Sequence, residues 1–183
     1  MASILVPYSR ISVSIFNDDE KSLKIRQQYV AHIANMFVLL GEARDVATVS
    51  AQAVMLLETK LALNSLARVQ LRDPYRSYHK MKLAEVVAKH PGFDFKLFLA
   101  ARGSPAFEDI NLAHPEFLKG FETALTTTPA SDWQAYLSWH LVRYAAPYLS
   151  EPFVKENFAF TGTVLTGVTE MKPRWKRVVS VVD

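Results

Sequence analysis

Apolar positions recur along most of the chain at spacings of three and four, the period of one helical face. In "NDDEKSLKIRQQYVAHIANMFVLLG", Ile25, Tyr29, Ile33, Met36 and Leu40 share a line, Asn17 or Asp18 stands where a cap is needed, and Gly41 closes the run. A second helix is predicted over 43–70, with Val46, Val49, Ala53, Leu57 and Leu61 on one face and Val54, Leu56 and Leu66 widening it. That width makes it the expected central helix. After the break at "RDP", a short helix around 83–89 ends at "HPG", and another carries Phe95, Leu97, Phe98 and Leu99 to Gly103. "SPAFEDINLAHP" is extended and has room for at most one short strand near 107–112.

From Pro115 the helical period returns, with Phe117, Leu118, Phe121 and Leu125 on one face until the threonine run meets Pro129. Its successor sets Trp133, Tyr136, Leu137, His140, Leu141 and Tyr144 along a broad stripe that Pro147 brings toward an end. Ser150 then stands as the cap of "EPFVKENFAFTGTVLTG", where Phe153, Asn157 and Phe160 follow at helical spacing. "KPRWKRVVSVVD" opens another helix at Pro173, with Trp175, Val178, Val179 and Val182 in register and no stop signal after them. These patterns predict a single all-α domain over 1–183, built of mostly antiparallel helices joined by short turns, without repeats or linkers.

Length and composition narrow the function classes. With 183 residues, half of them apolar, the chain can bury a substantial core. Lys and Arg number 21 against 18 acids, and the two signs are interleaved, so the net charge of +3 gives no nucleic-acid footprint. The one dense basic stretch, Lys172, Arg174, Lys176 and Arg177, reads as a solvated helix start. No cysteine is present, which removes disulfides, thiol nucleophiles and thiolate metal sites together. None of the five asparagines begins a glycosylation sequon. The amino end carries no export signal, and no uninterrupted apolar run has the length expected of a membrane segment.

The catalytic motifs that a single sequence can reveal are missing. His32, His79, His90, His114 and His140 never stand within one helical turn of each other, so no His-x-x-x-His pair exists to aim two imidazoles at a metal. Nor is there a nucleophile elbow, a phosphate-cradling glycine loop or a dinucleotide fingerprint. No catalytic, cofactor-binding or metal-ligating residue is therefore assigned. Two polar groupings remain. Glu58 lies beside the apolar face of the central helix, and Arg68, Arg72, Asp73 and Arg76 follow. That order predicts a partly buried structural ion pair, with Glu58, Arg72 and Asp73 as its candidates. In "WQAYLSWHLVRY", Trp133, Tyr136, Trp139 and Tyr144 are read as packed core with polar tips rather than as a ligand platform.

The order of "NDDEKSLKIRQQYVAHIANMFVLLGE", "LETKLA", "ARVQLRDPYRSYHKM", "HPGFDF", "DWQAYLSWHLVRYAAPYL" and "FVKENFAFTGTVLTGVTEMKPRWKR" resembles the amino-terminal region of the neprilysin-type zinc metallopeptidases, which include endothelin-converting enzyme and bacterial oligoendopeptidase O. The resemblance runs from about Asn17 onward, and only the stretch before it departs. It implies a helical lid facing a separate catalytic domain and enclosing a cavity that admits oligopeptides and excludes folded proteins. The zinc ligands, His-Glu-x-x-His and a later Glu, belong to the family's carboxy-terminal half and match no position here. Zinc is thus expected in the parent enzyme and not in this chain.

The implied partners are the missing catalytic domain of the same polypeptide and, in the parent, a peptide substrate. The alternative is a free-standing helical interaction module that lost the catalytic half. The family's helix beginning at "PRWKR" continues beyond Asp183, which leads us to expect an excised piece and self-association through Val178, Val179, Val181 and Val182. Lack of cysteine and sequon resembles the bacterial members, many of them periplasmic, secreted or lipid-anchored and some cytoplasmic.

Overall fold

A computed structural model of the protein describes residues 19–66 and 70–182, and for 71 and 180–182 the backbone alone. The expectations for Arg68 and the side chains of Val181 and Val182 lie outside the described residues, as do Asn17 and Asp18, but the cap expected at one of those two is Asp19 instead. Helix starts follow capping chemistry. Asp19 caps α1 (Glu20–Leu39) by accepting the Ser22 N–H at 2.9 Å and the Ser22 hydroxyl at 2.7 Å. Gly41, at φ 103°, supplies the left-handed residue that ends the segment. Then comes α2 (Arg44–Leu63), which stops earlier than its apolar period predicts, followed by a 3₁₀ turn (Gln70–Arg72).

Strand β1 (Lys80–Lys82) leads into α3 (Leu83–Lys89), α4 (Phe95–Ala101), strand β2 (Asp109–Asn111) and α5 (Pro115–Thr127). Next are α6 (Ala130–Ala145), a 3₁₀ turn (Ala146–Tyr148), α7 (Glu151–Asn157), a π-helix (Phe158–Val164) and α8 (Arg174–Val182). The described chain is all-α apart from one two-stranded sheet. It divides into two compact units, Leu56–Ala130 and residues 19–55 with 131–182.

The sheet corrects the expectation of at most one strand. An extended segment leaves its backbone donors and acceptors open, and β2 closes them on β1 in antiparallel register, Lys80 to Asn111, Met81 to Ile110 and Lys82 to Asp109. "KMK" is too short and too charged for an alternation signal to show it. Met81 and Ile110 join Leu83, Phe93 and Leu112 against the buried cluster of Val86, Phe95 and Leu118 within Leu56–Ala130.

Residues 19–55 and 131–182 gather around α1, which packs on α7 and the π-helix. Tyr29, Ile33, Met36 and Phe37 of α1 are buried there, as are Tyr136, Trp139 and Val142 of α6 and Phe160 of the π-helix. Two predicted faces are buried only in part. In α6 the buried line is Tyr136, Trp139, Val142 and then Ala146, while Leu137, Leu141 and Tyr144 are exposed. In α2 the buried line is Ala47, Ala51, Val54, Leu57 and Leu61, while Val46, Val49 and Leu56 are exposed. Both helices are apolar on two sides, and periodicity alone does not choose between such sides. No uninterrupted apolar run spans α2, since Glu58 and Lys60 lie within it. By length and composition α2 is long and apolar enough to cross a membrane, although one line along it is buried in the fold.

Gly120 of α5 is held to its size by a neighbour. A Cβ added there would lie 2.6 Å from the Asn64 Cβ, closer than packed carbon atoms sit. In an open helix, Gly to Ala would stabilise by about 1 kcal/mol. Here Gly120→Ala is expected to lower stability by about 1–3 kcal/mol in denaturant unfolding, and an Asn64→Gly background is expected to recover most of the loss. An unchanged or raised midpoint for the single variant would show that α5 shifts freely.

Candidate functional site

The residues singled out from sequence do not share one environment. Glu58 is fully buried on α2, whereas Arg72 is exposed in its 3₁₀ turn. Asp73 accepts the Tyr75 N–H at 3.0 Å and meets Arg76 at 3.7 Å in an exposed pair. Of the aromatic grouping, Tyr136 and Trp139 are core and Tyr144 stands in solvent.

What the structure brings together is a different set, within residues 19–55 and 131–182. The Trp139 indole N–H donates to the Tyr29 hydroxyl at 2.9 Å, both rings being buried and set edge to face at 5.8 Å. His32, one turn along α1, lies parallel to the Phe160 ring at 4.8 Å and meets Trp139 edge-on at 5.4 Å. Its Nδ1 lies 2.8 Å from a Glu156 carboxylate oxygen. An ionised carboxylate only accepts, so Nδ1 carries the proton and donates. Asn35 donates to the same oxygen at 3.2 Å, and Arg44 donates to the Asn35 carbonyl oxygen at 2.7 Å. The series runs from a buried imidazole to a surface guanidinium.

Electrostatics support that order. Burial raises the Glu156 carboxyl, but the hydrogen bonds from His32 and Asn35, with the charges of His32 and Arg44, outweigh it and hold the group below the usual carboxylate range. His32 Nε2 is buried and has no hydrogen-bond partner among the described residues. Asn35, Arg44 and Glu156 also line a shallow depression of about 370 Å³.

A second imidazole–carboxylate pair stands in Leu56–Ala130, where Glu122 accepts His90 Nδ1 at 2.6 Å and the Gly92 N–H at 2.8 Å. It ties the "HPG" turn to α5, where Phe93 meets Phe121 at 5.9 Å. Both pairs join residues far apart in the chain, so no motif spacing announces them. The one legible signal is that His32 stands three residues after Tyr29, beside the apolar line of α1, where a buried ring needs a partner.

Neither pair is a metal centre. Two donors do not make a zinc site, and no group of three or more His, Cys, Asp or Glu side chains among the described residues could hold a metal ion. The geometry fits clamps that fix helices.

The sequence profile of peptidase family M13 matches residues 9–183. The chain belongs to that family. Within M13 it corresponds to the amino-terminal region, and among curated relatives it is 28% identical over 158 residues to neprilysin-2 of Drosophila melanogaster, covering 84% of this chain and 20% of that protein. Human endothelin-converting enzyme 1 is 27% identical over 164 residues, covering 86% of this chain and 21% of that protein. Among solved structures, the inhibitor complex of zinc metalloprotease Zmp1 from Mycobacterium tuberculosis superposes with a TM-score of 0.86 at 31% identity, over 99% of this chain and 27% of that one. The open state of Zmp1 gives 0.85. The M13 chain thus spans about a fifth of the length of the curated relatives it matches.

Two titratable groups of residues 19–55 and 131–182, His140 and Glu156, set a pH dependence. Burial first, and the Arg143 charge second, push the His140 imidazole of α6 down to about 4. An unfolded His140 takes up a proton near 6.5 and the folded one does not until about 4, so stability falls as pH is lowered through that window. Allowing for screening at this partly exposed ring, the loss is on the order of 2 kcal/mol. Glu156 adds a further loss as pH falls below 4.5, because its native carboxylate must be protonated. Urea unfolding between pH 7 and 4 is expected to show the decline, and His140→Gln is expected to flatten its upper part. A variant as pH-sensitive as the parent would refute the assignment.

Proposed function

We propose that this chain is the noncatalytic helical part of a zinc metalloendopeptidase of family M13, enclosing a cavity next to a catalytic domain and limiting access to oligopeptides. The match to Zmp1 carries this reading, since nearly the whole chain superposes on only 27% of a zinc metalloprotease. The donor chemistry is consistent with it. The conspicuous polar pairs, His32 with Glu156 and His90 with Glu122, clamp helices and offer no third ligand. Zinc and the bond-breaking groups then belong to sequence outside this region, whose own contribution is geometric.

Alpha-helical packing suits that task. A wall that selects by size must keep its shape while peptides pass, and buried clamps between helices resist local opening. In this reading peptide length is selected by the width of the enclosed space. Chain-end specificity would need groups the described residues do not mark.

The test separates the two parts. This chain alone is expected to bind no stoichiometric zinc and to leave a quenched fluorescent octapeptide intact. The longer M13 polypeptide that contains it is expected to cut that peptide in a chelator-sensitive way, at least about a hundredfold faster than it cuts a folded protein of the same sequence motif. Chelator-sensitive cleavage by the chain alone would overturn the noncatalytic assignment. Equal rates on peptide and folded protein would overturn the access role. A reading frame that closes after Asp183 would point instead to a free-standing interaction module.

A further inference from the structure

The outer side of α2 carries a repeat that its packing in the fold does not use. Val46, Val49, Ala53, Leu56, Lys60 and Leu63 follow at three, four, three, four and three residues, the spacing of a seam along which one helix meets another. Val46, Val49, Leu56 and Leu63 are 53%, 66%, 55% and 67% exposed, while the line that holds α2 in place, from Ala47 through Val54 to Leu61, is buried. A stripe of two positions in seven is narrower than the face of a core helix, and it is the width of a helix–helix seam.

The charged residues along the stripe say what fits it. Asp45, at the amino end, is exposed and meets no cation among the described residues. Lys60, about four turns further on, has the Thr128 hydroxyl at 3.4 Å and no carboxylate among the described residues. An acid at one end, a base at the other and aliphatic residues between them make the stripe its own complement once its direction is reversed. A two-fold axis between Gln52 and Ala53 sets Val49 of one copy against Leu56 of the other, and each Asp45 against a Lys60. Ala53 beside the axis is small enough for two helices to approach closely. Reversal also opposes the helix dipoles, whereas parallel pairing would stack Lys60 on Lys60 and Asp45 on Asp45.

We infer that the outer stripe of α2 is a self-association surface along which two copies of this chain pair antiparallel. One helix of 20 residues per copy gives a contact at the small end of the range for specific association, about 1,000–1,200 Å² in total. The dimer is therefore dissociable, with a Kd on the order of 10 μM. Association of this kind differs from one through Val178 and Val179 of α8, where the charged residues are all basic and cannot complement themselves. It stands apart from the access role, since it concerns the outer side of α2 whatever the parent enzyme cuts.

Sedimentation velocity on the whole chain is expected to show a monomer–dimer equilibrium between about 1 and 200 μM. Leu56→Glu, at an exposed position, is expected to weaken it at least about tenfold while the thermal midpoint stays unchanged. Asp45→Lys is expected to weaken it about fivefold, and Asp45→Lys combined with Lys60→Asp to restore it. Because the chain has no cysteine, the register can be read by mixing Val49→Cys and Leu56→Cys chains. Oxidation is expected to join the two to each other in preference to either with itself. Val178→Glu, on α8, is expected to leave the equilibrium alone. A monomer throughout that range, a dimer that Leu56→Glu leaves intact, or a Leu56→Cys chain that cross-links chiefly to itself would overturn the inference. So would a charge swap that keeps its thermal midpoint yet fails to restore pairing, or a dimer that Val178→Glu abolishes. Leu56-dependent binding to vesicles of phosphatidylserine and phosphatidylcholine, with no dimer in solution, would assign the stripe to lipid and overturn it as well.

Discussion

In the interior formed by residues 19–55 and 131–182, one indole N–H has one described oxygen to satisfy it, and the positions of three segments follow. Trp139 is buried, so its donor must be met inside the protein, and Tyr29 meets it. That bond sets α6 against α1 in rotation as well as distance. With the Tyr29 ring fixed, Phe160 packs on it at 5.5 Å and His32 stacks on Phe160 in turn. The imidazole is then aimed outward at Glu156, where its proton finds a carboxylate. An aromatic cage thereby converts one hydrogen bond into the placement of α1, α6 and the π-helix.

The π-helix is how the chain delivers Phe160 to that cage. An extra residue per turn loosens the backbone ladder, and three threonine hydroxyls take up carbonyls around it. Thr161 donates to the Asn157 carbonyl at 2.6 Å, Thr166 to the Gly162 carbonyl at 2.7 Å and Thr163 to the Val168 carbonyl at 3.1 Å. Gly162 leaves the space that the Phe158 ring occupies, since a Cβ there would lie 2.6 Å from the ring carbon. "FAFTGTV" thus reads as an ordinary helical segment but packs as a widened turn.

Polar side chains from distant parts of the sequence are used on each other. In this part of an M13 peptidase His32 pairs with Glu156 and His90 with Glu122 across long sequence separations, and the surface keeps apolar lines on both α2 and α6. Such an arrangement favours rigidity inside and leaves apolar surface outside. His32 and His90 are committed to their carboxylate partners, and no group of three or more His, Cys, Asp or Glu side chains among the described residues could hold a metal ion.

The sequence by itself determined the helical class, nearly every helix start and the family, because caps, prolines and the three-and-four period act locally and the order of short motifs is written in the chain. It also marked Phe160 and the core status of Tyr136 and Trp139. It did not determine which side of α2 or α6 is buried, since both sides are apolar and only packing volume chooses. Nor did it show strand β1, whose three residues become a strand only through the partner at 109–111. The partners of His32 and His90 were invisible for the same reason: Glu156 and Glu122 stand 124 and 32 residues away, and a contact at such range exists only once the backbone has brought the helices together.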